Sequence, residues 1–236
     1  AHDMQNLGYT NSELRVYFEY WAQLGADIDG EAAGDQSGYS VSLSSDGTIV
    51  AIGATKNDGG GTTAGHVRVY EYSSGSWTQL GGDIDGEDNV SPINPESGNS
   101  VSLSSDGTTV AIARHHADLP GGSAYRAGAV DVYKRDETNT TLAPIGWSKL
   151  GATIRGAQGN RYLGDSVSLN SDGSKMAIGE TGSGRGTYVY EYSSGSGSWT
   201  QLGAMISAED NIDQAGYSVS LSSDGTIVAI GATLND

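Results

Sequence analysis

The string GYSVSLSSDGTIVAIGAT occupies residues 38–55 and recurs, letter for letter, at residues 216–233. Two weaker copies lie between them, GNSVSLSSDGTTVAIAR at residues 98–114 and GDSVSLNSDGSKMAIGET at residues 164–181. Self-similarity of this kind is the signature of a repeat architecture, in which each unit buries its apolar faces against its neighbours. The four copies therefore predict one repeat-built domain that covers residues 1–236.

Each repeat contains four segments with the residue patterns of β-strands. In the first complete repeat, residues 39–44 (YSVSLS) alternate apolar and small polar residues, which favours a half-buried strand. A Ser-Ser-Asp-Gly turn leads to residues 48–53 (TIVAIG), a nearly continuous apolar strand that we expect to be covered on both faces. Residues 66–72 (HVRVYEY) and 77–80 (WTQL) follow as the third and fourth strands. No segment keeps a 3.6-residue apolar period, so we expect essentially no helix.

The two ends of the chain complement each other. Residues 16–24 supply a third and a fourth strand, and residues 217–231 supply a first and a second strand. We therefore predict an all-β fold: a β-propeller of four four-stranded antiparallel blades, closed by a composite blade from about 1–30 and 215–236. Closure of the ring would remove exposed sheet edges. There are two alternatives: the chain is a piece of a longer array of blades, or two chains join into one larger ring.

The composition excludes several classes of function. The chain has 12 Lys and Arg against 29 Asp and Glu, a formal net charge of -17, so we expect no nucleic-acid partner, which would need a basic surface. No apolar run approaches the roughly 20 residues that span a bilayer, so we expect no membrane insertion. The absence of cysteine excludes disulfides and cysteine-based chemistry.

The segments GYSV…IGAT and the following GHVRVY resemble the FG-GAP repeats of β-propellers, including those of integrin α-subunit heads. The resemblance covers all four units, with two departures. The Phe-Gly pair that opens a family repeat is replaced by Ser-Gly-Tyr, Ser-Gly-Asn, Leu-Gly-Asp and Ala-Gly-Tyr. The family's long Asp-rich calcium loop is shortened here to Ser-Ser-Asp-Gly or Asn-Ser-Asp-Gly, so that calcium site does not carry over. We interpret the remaining aspartates as turn formers: Asp46, Asp106, Asp172 and Asp224.

Acidic residues are concentrated where each fourth strand ends. In a four-stranded blade these exits and the loops between strands two and three emerge on the same face of the ring. Aspartates two apart on an extended chain point to the same side, and clustered carboxylates beside a glycine suit Ca²⁺. The candidate ligands for Ca²⁺ are Asp27, Asp29, Glu31, Asp83, Asp85 and Glu87. A solvated loop of an acidic protein is the alternative interpretation.

An insertion, HHADLPGGSAYRAG at residues 115–128, interrupts the second repeat. Departures from a repeat often carry function. Its His115, His116 and Asp118 are residue types that ligate metals, but adjacent histidines on extended backbone point apart, so only one is expected to serve a site. An ordinary surface loop is the alternative.

The sequence contains no G-x-S-x-G, H-E-x-x-H or P-loop motif, and we predict that the protein is not an enzyme. The resemblance implies an extracellular or cell-surface recognition module with a protein or glycan ligand at the loop rim of the channel. One alternative is a carbohydrate-binding propeller in which Tyr39 and Tyr217 stack on sugars, and a second is a glycan-active enzyme with paired carboxylates. The candidate ligand-binding residues are Asp27, Asp29, Asp83, Asp85, His115, Asp118, Tyr39 and Tyr217. The recurring tryptophans are expected to pack the blades together.

Overall fold

The structure, a computed structural model, describes residues 22–86, 95–122, 124–182, 186–207, 209 and 213–233. Its strands form antiparallel sheets, numbered here as blades in chain order. Blade 1 contains β1 (Ser37–Leu43), β2 (Ile49–Ala54), β3 (His66–Ser73), β4 (Ser76–Gln79) and β5 (Ile84–Asp85). Blade 2 contains β6 (Val101–Leu103), β7 (Thr109–Arg114), β8 (Ala129–Arg135), β9 (Trp147–Lys149) and β10 (Ile154–Arg155). Blade 3 contains β11 (Leu163–Leu169), β12 (Lys175–Glu180), β13 (Gly186–Ser193), β14 (Ser198–Gln201) and β15 (Ile206–Ser207). Blade 4 contains, within the described residues, β16 (Ala215–Leu221) and β17 (Val228–Ala232).

The strand order confirms the all-β repeat that the sequence predicts. In blades 1 to 3 the first four strands follow one another in chain order, each hydrogen-bonded to the next. The one helical element among the described residues is a short 3-10 turn at Pro120–Gly122. No helix in this part of the chain has the length and apolar character that crossing a bilayer requires.

A short fifth strand, which the sequence analysis missed, follows the fourth strand in blades 1 to 3. In blade 1, β5 pairs with the beginning of β3, with Asp85 opposite His66 and Ile84 opposite Val67. Ile84 is buried, whereas Asp83 and Asp85 on either side of it remain accessible to solvent. Part of the segment that was expected to be an acidic loop is therefore a strand, because its isoleucine is drawn into the core.

The aspartates of the first hairpins are turn formers, as predicted. Asp46 accepts hydrogen bonds from the Thr48 N–H at 3.0 Å and from the Ser44 hydroxyl at 2.7 Å. These bonds lower the pKa of Asp46 to about 2, and the equivalent bonds of the fourth repeat lower the pKa of Asp224 to about 2. Each of these carboxylates accepts hydrogen bonds from residues of its own turn.

Serine side chains join each inner strand to the next blade. The Ser42 hydroxyl oxygen accepts a hydrogen bond from the Leu103 N–H at 2.9 Å. The same bond, also at 2.9 Å, recurs from blade 3 to blade 2 and from blade 4 to blade 3, and its pairs are Leu169 with Ser102 and Leu221 with Ser168. Small side chains therefore bring the backbones of neighbouring blades close together.

The recurring tryptophans also link neighbouring blades, as predicted. The Trp147 indole N–H donates to the Leu80 carbonyl at 2.9 Å, and Trp199 repeats the contact on Leu150 at 2.8 Å. Trp77 donates to the Leu24 carbonyl at 2.7 Å, just before blade 1. Trp21, the fourth member of the series, lies outside the described residues.

Two apolar cores formed by described residues lie between blades. The first fills the space between blades 1 and 2 and includes Val69, Val110 and Trp147. The second fills the space between blades 2 and 3 and includes Val132 and Ile178. Stability therefore depends on the contact of one blade with the next, as in other repeat proteins.

The described residues do not close the ring. Val41 and Leu43 of β1 are 63% and 59% exposed, whereas their counterparts Val101 and Leu103 in blade 2 are 8% and 7% exposed. β1 and β16 would be neighbours in a closed four-bladed ring, but they do not pack together as the other inner strands do. The predicted composite blade depends on residues 1–21, which lie outside the described residues. Closure of a four-bladed ring therefore remains a prediction.

Candidate functional site

A pocket of about 260 Å³ lies where the inner strands of the blades begin. Its lining consists of Tyr39, Asn99, His115, Asp165 and Tyr217. Four of these residues occupy one repeat position, directly after the glycine that opens each copy. Each blade thus contributes one side chain, and His115 comes from the loop that follows β7. This pocket is called the channel-mouth pocket below, after the channel that a closed ring would enclose.

His115 is held by the residues around it. Its Nδ1 lies 2.7 Å from Oδ1 of Asp165 and its Nε2 lies 3.2 Å from Oε2 of Glu96. Its backbone N–H donates to the Asn99 side-chain oxygen at 3.1 Å, and the Asn99 amide donates to the Gly164 carbonyl at 2.9 Å. The pocket floor is therefore a connected polar network shared by blades 2 and 3.

The charge of this network depends on His115. Burial lowers its pKa, but the hydrogen bonds and negative charges of Asp165 and Glu96 outweigh burial and raise the pKa of His115 above its usual value. Burial and the charge of His115 lower the pKa of the adjacent His116. The two rings therefore differ in character: His115 favours the imidazolium form between two carboxylates, and His116 favours the neutral form.

The two histidines lie on the same side of the loop, so the expectation that they point apart is wrong. Their rings stack with centroids 4.1 Å apart and an interplanar angle of 30°. The reason is that residues 115–116 form a turn, closed by a hydrogen bond from the Ala117 N–H to the Arg114 carbonyl at 3.0 Å, rather than extended backbone. His115, His116 and Glu96 come close enough to share an ion. Both ring nitrogens of His115 are already within hydrogen-bond distance of carboxylates, which favours a salt-bridged cluster.

Tyr39 and Tyr217, predicted as stacking residues, do lie together in the channel-mouth pocket. They are 58% and 59% exposed, so one face of each ring is available to a ligand. Asp118, by contrast, is buried outside this pocket and accepts a hydrogen bond from the Arg126 N–H at 2.7 Å. The insertion thus places His115 at the pocket and uses Asp118 to shape its own loop.

The predicted acidic calcium set divides into two places. Asp27 and Asp29 line a groove of about 300 Å³ beside Trp77 and Tyr70, and Asp27 accepts a hydrogen bond from Gln23 at 2.7 Å. The remaining described acids meet around one buried histidine and are Glu31, Asp83 and Asp85. Glu87 lies outside the described residues.

That histidine, His66, was not singled out from the sequence. Burial lowers its pKa, and the negative charges of Asp83, Glu31 and Asp85 only partly offset this effect. Burial, and then the charge of Asp83, raises the pKa of Asp85. The alternating strand pattern of HVRVYEY hides His66, since its first position reads as an ordinary strand residue.

Comparisons with known proteins identify the fold class. No family model and no curated protein matches the chain. Among solved structures, Kuenenia stuttgartiensis hydrazine synthase superposes with a TM-score of 0.52 at 14% identity, over 90% of this chain and 47% of that chain. The periplasmic gluconolactonase of Pseudomonas aeruginosa superposes with a TM-score of 0.52 at 16% identity, over 81% of this chain and 50% of that chain.

These similarities, together with the successive antiparallel blades, show that the chain is an all-β protein of the propeller type. At such low identity they show the fold alone, and propellers carry many unrelated functions. The chain spans about half the length of the two solved structures. The closer FG-GAP relationship and the bound calcium stay predictions.

Proposed function

We propose that the protein is a non-catalytic recognition module that binds its ligand in the channel-mouth pocket. The observation that carries the proposal is the convergence of one repeat position on this pocket, as Tyr39, Asn99, Asp165 and Tyr217. Elsewhere the repeats keep similar residues, but this position changes from aromatic to amide to carboxylate. Side chains that vary within a regular scaffold and meet at one pocket suit specific binding.

The chemistry of the pocket favours a carbohydrate as the ligand. Two exposed tyrosine rings offer flat apolar surfaces at the edge, and Asn99, Asp165 and His115 offer polar groups at the floor. Ligand sites commonly combine apolar walls with a few placed polar groups. A pocket of about 260 Å³ suits a single sugar unit at the end or along the edge of a glycan. An extracellular or cell-surface location, implied by the FG-GAP resemblance, belongs to the same proposal.

A glycan array tests this function. We expect the chain to bind one class of sugar, and we expect Tyr39→Ala and Tyr217→Ala each to weaken binding about 2- to 13-fold, the equivalent of losing one aromatic contact of roughly 0.5–1.5 kcal/mol. Tyr125→Ala is the matched control, since Tyr125 is also exposed but lies outside the pocket.

The outcomes of this experiment separate the alternatives. Absence of binding to every sugar class would remove the carbohydrate proposal. Turnover of a bound glycan that disappears in Asp165→Asn would support the glycan-active enzyme instead. Equal loss of binding in all three tyrosine variants would mean that the channel-mouth pocket is not the site.

A further inference from the structure

His66 is buried with an unpaired ring nitrogen near the carboxylates of Glu31 and Asp85. It is 1% exposed, and its Nδ1 has no hydrogen-bond partner within the described residues. Nδ1 lies 3.8 Å from Oε2 of Glu31 and 4.0 Å from Oδ1 of Asp85. A buried polar atom without a partner is costly and calls for an explanation, such as an ion at that point.

The distances around His66 are a few tenths of an ångström longer than those between two ligands of one metal ion. They are too long for hydrogen bonds, which join nitrogen and oxygen at about 2.7–3.2 Å. Two ligands that each lie about 2.0–2.2 Å from one tetrahedral metal ion are separated by roughly 3.3–3.6 Å. One ligand atom each from His66, Glu31 and Asp83 lies within 4.8 Å of the others. The cluster therefore needs only small side-chain adjustments to close on a cation.

We propose that His66, Glu31 and Asp83 bind a divalent transition-metal ion of the Zn²⁺ class, with Asp85 as an additional carboxylate. An imidazole combined with carboxylates suits zinc and similar ions, whereas Ca²⁺ takes oxygen ligands alone. The Asn57 side-chain amide donates to Oε2 of Glu31 at 3.1 Å, which fixes that carboxylate beside His66. Three of the predicted Ca²⁺ ligands, Glu31, Asp83 and Asp85, thus belong to the proposed site, but the metal proposed here is Zn²⁺ rather than Ca²⁺.

The other blades show that the propeller fold does not need this histidine. The strand register places Ala129 and Gly186 at the position of His66 in blades 2 and 3. It places Arg155 and Ser207 at the position of Asp85. At these two positions, histidine and acid therefore occur together in blade 1, and neither occurs in blade 2 or 3. Such joint appearance is expected of ligands for one ion.

A metal titration of the full chain tests the site. After treatment with chelator, Zn²⁺ at about 100 times its dissociation constant should raise the melting temperature by roughly 5–10 °C, as for any ligand that binds the folded state of a domain of this size. We expect Ca²⁺ to give no comparable shift. His66→Ala and Asp83→Asn should each abolish the effect of Zn²⁺, and Ala129 in blade 2 shows that the fold accepts alanine at the first of these positions.

Two control variants make the result decisive. Asp27→Asn removes a carboxylate from the same acidic segment but outside the cluster, and it should keep the full Zn²⁺ shift. His115→Gln should keep it as well, because the cluster of His115, His116 and Glu96 is a separate one. A wild-type chain that gives no shift, a His66→Ala variant that keeps it, or a His115→Gln variant that loses it would overturn the proposal.

A different observation supports a second inference, about the two faces of the blade series that are exposed within the described residues. We infer that the Val41–Leu43 face of blade 1 docks on the Ser218–Ser220 face of blade 4 in a second copy of this chain, in place of the four-bladed closure within one chain that the sequence predicts. Residues 38–55 and 216–233 are identical, so Ser218 and Ser220 match Ser40 and Ser42. In blade 1 those serines bond the Gly98 carbonyl at 2.7 Å and the Leu103 N–H at 2.9 Å. In blade 4 the same serines are exposed within the described structure.

The two faces are complementary because they repeat a contact that the chain already makes at its inner blade boundaries. At each inner boundary a leucine N–H donates to a serine hydroxyl of the preceding blade, and these leucines are Leu103, Leu169 and Leu221. Leu43 holds the same repeat position, but no described serine lies beside its N–H. A second copy would supply the missing serines to β1 and a leucine to β16. Two copies joined at both faces would then form one larger ring, as closed symmetry requires.

Sedimentation measurements over a wide range of concentration test this pairing. We expect the chain of 24.3 kDa to assemble into a species of twice that mass. Val41→Lys should leave it as a single chain, whereas Leu142→Lys, an equally drastic change at an exposed residue of blade 2, should not. A wild-type chain that stays single at every concentration would overturn the inference. In that case, a Val41→Lys variant with lowered thermal stability would indicate a ring closed within one chain.

Discussion

Replacement of Trp147 by alanine is expected to lower the free energy of unfolding by about 4 kcal/mol, the cost typical of deleting a buried aromatic side chain. Trp147 is 1% exposed and packs in the core between blades 1 and 2. Its indole N–H also bonds the Leu80 carbonyl, which would lose its partner. For a chain of this length the melting temperature should fall by roughly 8–16 °C, as measured by circular dichroism.

Trp77 provides the matched control for this prediction. It holds the same repeat position and makes the same kind of bond, to the Leu24 carbonyl, but it is only half-buried. Trp77→Ala should therefore cost clearly less than Trp147→Ala. Equal losses at the two positions would show that the cores between blades do not set the stability of the domain.

Replacement of Gly179 by alanine is expected to cost about 3 kcal/mol, the upper part of the usual range for overpacking a core. A Cβ atom at Gly179 would overlap the carbonyl oxygen of Gly216 in the next blade and come within 2.5 Å of the Ser166 hydroxyl. The first of these neighbours is backbone, which can move away only if blade 4 shifts. Thermal unfolding should show the loss directly.

Gly231 occupies the same place in the fourth repeat. An added Cβ there would meet the hydroxyl of Ser218 but no backbone of another blade. Gly231→Ala should therefore have a small effect on a dilute, single chain. If both alanine variants are equally destabilised, the close approach of blades 3 and 4 is not the cause.

The strands and turns of this fold could be predicted because the residue pattern of each element recurs several times along the chain. The alternation in YSVSLS and the Asp-Gly turn recur in all four blades, and the tryptophan recurs in blades 1 to 3. Residues that recur at one repeat position are recognised as structural. β5 was missed for the opposite reason. Two paired residues are too few for an alternating pattern, and the acids around Ile84 suggest a loop.

Part of the channel-mouth pocket could also have been predicted. Tyr39 and Tyr217 were chosen as aromatic rim residues, yet Asn99 and Asp165 stand at the same repeat position and would follow by symmetry. His66 could not be found in this way, because its partners Glu31 and Asp83 lie on separate segments. Sequence shows that a histidine begins β3 but not which carboxylates it faces.

The number of blades in the finished ring is the feature that sequence is least able to fix. Each described boundary between inner strands uses the same contact, a serine hydroxyl of one blade with the leucine N–H of the next. Such a contact adds another blade equally well whether that blade comes from the same chain or a second one. The contacts at each boundary therefore specify how neighbouring blades pack together, but they do not specify how many blades the ring contains.

The exact duplication of residues 38–55 at 216–233 is also expected to affect the kinetics of folding. The first of these hairpins packs against blade 2 in the folded chain. The second hairpin has the same side chains and could make the same contacts with blade 2 during folding. We therefore expect that a refolding chain can be trapped with the second hairpin in the place of the first, a failure mode characteristic of repeat proteins. The divergence of the two middle copies limits such exchange to the outermost pair.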